Sequence, residues 1–141
     1  MGTVQGLDRN QIFMPSSLDE SIAADNPVRV LDALVDSLDL RKLGFPEPSA
    51  IGRPSYAAND LLKLYLYGYL HDIRSSRKLE AELLRNVELI WMLRRLKPDH
   101  KTIADFRRKN PKPFQKAFRE FVAILDGWGL LGKEVFAIDG T

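Results

Sequence analysis

Between residues 57 and 71 the chain runs Leu61, Leu62, Leu64, Tyr65, Leu66, Tyr67, Tyr69 and Leu70 with almost no polar interruption. On a helix these side chains surround the axis and leave little polar face, so the element they form has to be covered by protein on every side. A helix with that requirement commits the rest of the chain to supplying neighbours. The sequence reads as a supply of them. Asn26 can cap a helix with Pro27 at its first position, and Val28, Leu31, Leu34, Val35 and Leu38 then share a face, which predicts a helix from Pro27 to about Leu40, ended by Gly44 and Pro46.

Residues 44–56 hold three Pro and two Gly and predict a loop. After the central helix, Ser75 or Ser76 can cap a helix running to about Arg85 with Leu79, Leu83 and Leu84 inward. A further helix is predicted from Val87 to Leu96, carrying Ile90, Leu93 and the large anchor Trp91. Lys97-Pro98-Asp99 stops it and caps the next, in which Ile103 and Phe106 face the core while Lys101, Arg107, Arg108 and Lys109 stay outside. The last long helix starts near Pro111 to Pro113 and lines up Phe114, Phe118, Phe121, Val122 and Leu125 before Gly127 and Gly129 end it.

The two ends read differently. Residues 1–16 have no sustained periodicity and predict an arm, up to a capping box at Ser17-Leu18-Asp19-Glu20. Glu134 to Ile138 reads as a short buried strand leading into Asp139-Gly140-Thr141. A lone strand cannot form a sheet. The expected organisation is therefore an arm (1–16), an all-α helical bundle (17–130) and the first strand of a truncated further domain (131–141).

Charge is the first functional clue. The net charge is only +2, but residues 1–73 hold 6 basic and 10 acidic side chains, residues 74–119 hold 14 and 5, and residues 120–141 hold 1 and 4. Two thirds of the positive charge therefore sits in one middle segment, as expected of a polyanion-binding surface. The simpler alternative, that these charges only solvate a bundle, accounts less well for such segregation. A helix, a turn and a second helix with cationic outer positions also has the layout of a helix-turn-helix DNA reader, here Val87–Leu96 and His100–Asn110. Lys101, Thr102, Arg107 and Arg108 are then candidates for base or phosphate contact, with Lys97, His100 and Lys109 beside them. Arg74, Ser75, Ser76, Arg77 and Lys78 would anchor phosphate at a helix start. Glu80, Glu82, Glu88, Asp99 and Asp105 oppose this by neutralising part of the patch, for example Glu82 with Arg85.

Other chemistries are narrowed by composition. With no cysteine, disulfides, thiolate metal sites and thiol nucleophiles are excluded. His71 and His100 are the only histidines; His71 has no carboxylate one helical turn away and His100 has only Asp105 nearby, so a solvated or capping role is expected rather than metal binding. Tyr65, Tyr67 and Tyr69 are expected to pack in the core or between helices rather than to form a base-stacking platform. The N-terminus lacks an apolar signal core, and Gly6 stands where a myristoylation signal needs Ser or Thr. The longest nearly apolar stretch, Leu61–Leu70, contains Lys63 and is half a membrane span, so a soluble intracellular protein without membrane association is expected. Asp139 at the tip of an apolar strand is the kind of carboxylate that binds Mg²⁺, but by spacing alone a solvated turn is the simpler reading.

Five ordered stretches resemble a known family. Gly52-Arg53-Pro54, Leu61 to Leu70, Ile73 to Glu80, Leu96 to Arg108 and Ala137-Ile138-Asp139-Gly140-Thr141 are together similar to the N-terminal domain of bacterial insertion-sequence DDE transposases of the InsH type. The resemblance covers the chain from about Phe13 onward. It implies a helical region that recognises the terminal inverted repeats of a mobile element in double-stranded DNA, placed before a ribonuclease H-like catalytic domain for DNA transposition. It also implies that Asp139 is the first of three catalytic acids and a ligand of Mg²⁺ in the full-length enzyme, that no cofactor serves this segment alone, and that the protein is cytoplasmic and associated with the bacterial nucleoid. Ala57-Ala58-Asn59 departs from the Asp-Pro-containing helix start of relatives, which changes the cap and not the packing. The second and third acids are missing, so the chain alone is expected to be inactive in strand transfer. Two further readings follow: a non-catalytic repressor occupying the same DNA ends, and a module whose Leu/Tyr-rich and Phe-rich helices mediate homo-oligomerisation.

Overall fold

The computed structural model of the protein describes residues 2–11, 17–47 and 55–129, and within them the chain is all-helical. After a 3-10 turn at Asp19–Ser21 come α1 (Val28–Ser37), α2 (Leu40–Leu43), α3 (Ala58–His71), α4 (Ser76–Arg85), α5 (Val87–Met92), α6 (His100–Lys109) and α7 (Pro111–Gly127). The expected strand at 134–138, Asp139 and the end of the expected arm at 12–16 lie outside the described residues.

α3 is the axis of the fold, packed on by α1, α5 and α6. Leu61, Leu62, Leu64, Leu66 and Tyr67 are buried along it, as its unbroken hydrophobicity requires. Lys63 is buried as well, with only 1% of its surface exposed. Its Nζ lies 2.6 Å from Asp32 and 2.9 Å from Asp36, one turn apart on α1, and Asn59 also donates to Asp36. Burial pulls the ammonium down in pKa, but the hydrogen bonds and charge attraction it makes to the two carboxylates outweigh this and hold it above the ordinary lysine value. One cation thus sets the register of α1 against α3.

The helix boundaries follow local chemistry. Asn26 accepts from the Val28 amide at 2.8 Å, Pro27 stands at the N-cap just before α1 rather than at its first position, and Val28, Leu31, Leu34 and Val35 face inward. The expected helix to Leu40 is interrupted: Leu38 is extended and buried, and Asp39 opens the separate α2 by accepting from Lys42. Gly44 ends α2 in the left-handed region (φ 106°), which turns Phe45 inward to stack on Phe106 at 5.5 Å. In the 3-10 turn Ser17 accepts from Glu20, half of the expected capping box, and Asp19 receives Arg29 (2.7 Å) and the Trp91 indole (3.1 Å).

Two expectations meet corrections. Leu84 points outward, 65% exposed, because α4 buries only the narrow i, i+4 stripe of Leu79 and Leu83. α5 stops at Met92 rather than Leu96, since Arg94 and Arg95 both adopt left-handed backbone (φ 51° and 65°). The unfavourable conformation is offset by the turn it makes: the Arg95 amide donates to Ile90 O at 3.0 Å, Leu93 is fully buried, and Arg94 reaches Asp60 at 3.0 Å. Asp60 is 3% exposed and sits in the first turn of α3, where the helix dipole favours a carboxylate.

Gly68 makes the next turn possible. A Cβ there would stand 2.6 Å from the Ile73 carbonyl oxygen and 3.1 Å from Leu79. The Ile73 amide closes back on Gly68 O at 2.8 Å across Asp72, itself left-handed at φ 59°. We therefore expect Gly68→Ala to destabilise the domain by about 1–3 kcal/mol, the usual effect of overpacking. On an open helix face the same change stabilises by about 0.5–1 kcal/mol, so denaturant titration distinguishes the two by sign. For Lys63, replacement of both Asp32 and Asp36 by Asn strands a buried cation and is expected to cost about 3 kcal/mol or more, whereas Lys63→Met removes the charge and fills the space at far smaller cost. Equal losses in the two variants would show that the ion pairs are incidental.

Candidate nucleic-acid interface

The basic middle segment is assembled by three helix starts. Ser75 accepts from the Lys78 amide at 3.0 Å and opens α4 immediately after Arg74, while Arg77 and Lys78 project from its first turn to solvent. Asp99 accepts from Thr102 at 2.8 Å and opens α6, as the sequence indicated. α7 begins at Pro111, one residue after Asn110 closes α6 and donates to Phe106 O at 2.8 Å.

α6 packs chiefly against α4, with α5 lying on α1, α3 and α4. The helix beneath the candidate reading helix is thus α4, not α5 as the sequence pattern suggested. Glu80 of α4 makes the joint. Its Oε1 accepts the His100 backbone N–H at 2.7 Å and lies 2.8 Å from His100 Nδ1, so a side chain of one helix caps the other. The two histidine contacts, backbone first, hold the Glu80 carboxyl below its ordinary pKa. His100 therefore serves as a structural joint, to a partner that sequence spacing missed. His71 is exposed and stacks on Tyr67 at 4.1 Å.

Around this joint, residues distant in sequence converge. Arg74, Ser76, Arg107 and Arg108 line one cleft of about 540 Å³. It adjoins another of about 560 Å³ between the end of α3, Arg74, α6 and α7, where Arg74, Arg107, Gln115 and Arg119 surround Tyr65, Tyr69, Phe114 and Phe118. No carboxylate lines either cleft. The Arg107 guanidinium sits 4.9 Å over the Phe114 ring. Tyr65 donates to Ile103 O at 2.6 Å, and Tyr69 meets Phe118 edge-on at 5.6 Å. Tyr67 is core: it donates to Glu88 at 2.5 Å, and burial together with that carboxylate pushes its phenol up to about 12.

The remaining candidates are spread more widely. Lys101 is exposed on the outer face of α6, and Lys97 is exposed on the loop before it. Thr102 and Lys109 turn to the opposite flank, lining a separate cleft with Phe45, Glu47 and Asp105. The opposing acids are partly consumed locally: Arg85 pairs with Glu82 at 2.6 Å, Arg108 with Asp105 at 2.6 Å, and Arg74 with Asp72 at 2.6 Å. Arg77, Lys78, Lys97, Lys101, Arg107, Lys109 and Arg119 have no ion-pair partner among the described residues. Sequence reasoning missed Gln115 and Arg119, because α7 reads as a core helix and only its packing beside α6 brings its polar flank to the cleft.

Among the described residues no group of three or more His, Asp or Glu side chains is placed to hold a metal ion. The expected Mg²⁺ ligand, Asp139, falls outside them. No described helix is long and apolar enough to cross a membrane.

The fold is thus an all-helical domain with an arginine-lined cleft between three of its helices. Residues 16–109 match the transposase domain family DUF772, a span of 94 of the 141 residues, and the chain belongs to that family. No curated protein and no solved structure matches it. α7 follows the matched span and adds the second wall of the cleft.

The α4–α6 joint carries a pH dependence. A carboxyl held below its ordinary pKa in the folded state adds stability that is complete above that ordinary value and is lost as the pH falls through the depressed one. Glu80→Gln should therefore flatten the acid side of the pH–Tm curve and leave little difference between variant and parent at the lowest pH. Parallel curves down to strong acid would show that Glu80 does not titrate with folding.

Proposed function

We propose that the domain binds double-stranded DNA at the ends of a mobile element on behalf of a transposase. The observation that supports this reading best is the convergence of Arg74, Arg107 and Arg108, from segments more than 30 residues apart, around a cleft with no carboxylate in its lining. Membership of a transposase domain family supports reading the polyanion as the DNA of a mobile element. Arg74, Arg77 and Lys78 at the start of α4, with the Ser76 and Arg77 amides of its first turn, hold phosphate. α6 lies along the duplex with Lys101 and Arg108 outward, and its contacts, with those of Arg107, fix the register in which bases are read.

In this reading Asp139 remains the first catalytic acid of the transposase, a role that rests on the resemblance of the Ile138-Asp139-Gly140 stretch alone. Mg²⁺ bound by it and its two partner acids would activate the attacking water or hydroxyl in strand cleavage and transfer. The described helices contribute grip and orientation to that reaction, not chemistry.

Phosphate contacts release counterions, so the association constant should fall steeply with salt, with a log–log slope of about −0.9 per phosphate neutralised. Arg107→Ala and Arg108→Ala should each weaken binding about tenfold and make the slope shallower by about one contact. Fluorescence anisotropy across a salt series measures both. Salt-insensitive binding, or full affinity in the double variant, would remove the proposed surface.

A further inference from the structure

The cleft between α3 and α7 differs from the cationic faces around it, and duplex phosphates alone do not account for its make-up. Its floor is aromatic, with Tyr69 and Phe118 half-buried, and its rim carries Arg74, Arg107, Arg119 and the Gln115 amide. A stacked duplex is convex and offers a protein only phosphates, sugars and base edges. None of these needs an aromatic floor, and a base stacked within the duplex cannot present its face to one. A single unpaired nucleotide has both properties the cleft addresses. Its ring offers a π-face to aromatic side chains, and its phosphate is held by arginine.

Size and charge agree. At about 560 Å³ the cleft falls within the range of sites that enclose a small ligand. Its lining has three arginines and no carboxylate, although Arg74 is shared with Asp72 outside it. Arg107 is already fixed over Phe114, which orients a guanidinium at the mouth before any ligand arrives. Gln115, exposed one residue from Phe114 on α7, provides a donor and an acceptor for a base edge. The cleft is continuous with the cavity at the start of α4, with which it shares Tyr65, Arg74, Arg107, Phe114 and Gln115. A strand whose phosphates lie along α4 therefore has a neighbouring place for one base.

We infer that this cleft captures an unpaired nucleotide of the bound DNA, a single-stranded extension or a base swung out of the stack, next to the duplex held by α4 and α6. The inference rests on the DNA-binding reading and adds a substrate feature to it: preference for DNA that is locally unpaired.

The test compares a blunt duplex with the same duplex carrying a short single-stranded extension, using the full chain and fluorescence anisotropy at fixed salt. Capture of one stacked base is expected to favour the extended DNA about tenfold. 2-Aminopurine in the extension should be quenched on binding. Phe118→Leu keeps an apolar floor without the aromatic face, and Arg119→Ala removes an exposed cation from the rim; each should bring the preference close to one, with folding checked by circular dichroism. Equal affinity of the parent for the two DNAs would overturn the inference while leaving duplex binding intact. Loss of binding to both DNAs would overturn the DNA reading itself. A preference that survives both substitutions would place the single strand elsewhere and overturn the assignment to this cleft.

Discussion

The structure depends on one constraint, that α3 is apolar around its whole circumference and still carries a lysine at its centre. Hydrophobic burial requires that neighbours surround it but does not say which neighbour lies where. The polar atoms on α3 supply that direction. Lys63 accepts only a position of α1 that presents Asp32 and Asp36 together, and the Tyr67 hydroxyl selects Glu88 of α5. The Tyr65 hydroxyl selects the Ile103 carbonyl of α6. Because a buried group without its partner is costly, each contact excludes alternative packings more strongly than it stabilises the one observed.

From that arrangement the cationic surface follows. Gly68 and the left-handed Asp72 let the chain reverse within a few residues, which brings Arg74 and the start of α4 back beside α3. Glu80 then caps α6 across the interface, so the outer faces of α4 and α6 are held in fixed relation without relying on the charges they display. The residues that orient the helices are Ser75, Asp99, Glu80 and His100, while Arg77, Lys78, Lys97 and Lys101 beside them are exposed. α7 closes the cleft from beyond the family-matched span, through Tyr69 against Phe118 and Arg107 over Phe114.

Much of this was legible in the residue order. The central helix, the serine cap of α4, the aspartate cap of α6 and the proline start of α7 all lie where local rules put them, because capping and proline geometry act within a few residues. The breaks at Leu38 and after Met92 were not legible. Leu38 continues the helical stripe of α1, and two arginines are good helix formers, yet both sites leave the helix since tertiary contacts reward the departure: burial of Leu38 in one case, and Leu93 with the Arg94–Asp60 pair in the other. Leu84 shows the reverse. Its spacing suits burial, but among the described residues no neighbouring helix covers it.

The sequence by itself determined that the chain is a bundle of short helices with segregated positive charge, since hydrophobic period, caps and composition are local or additive properties; the transposase likeness came separately, from the resemblance of its ordered motifs. Only the tertiary structure decided which charges act together. It joined Arg74 to Arg107 and Arg119 around an aromatic floor, sent Thr102 and Lys109 to the opposite flank, and turned His100 into a joint with Glu80. The physical reason is that convergence depends on how helices cross and rotate, and those angles are set by interdigitating side chains far apart in the chain.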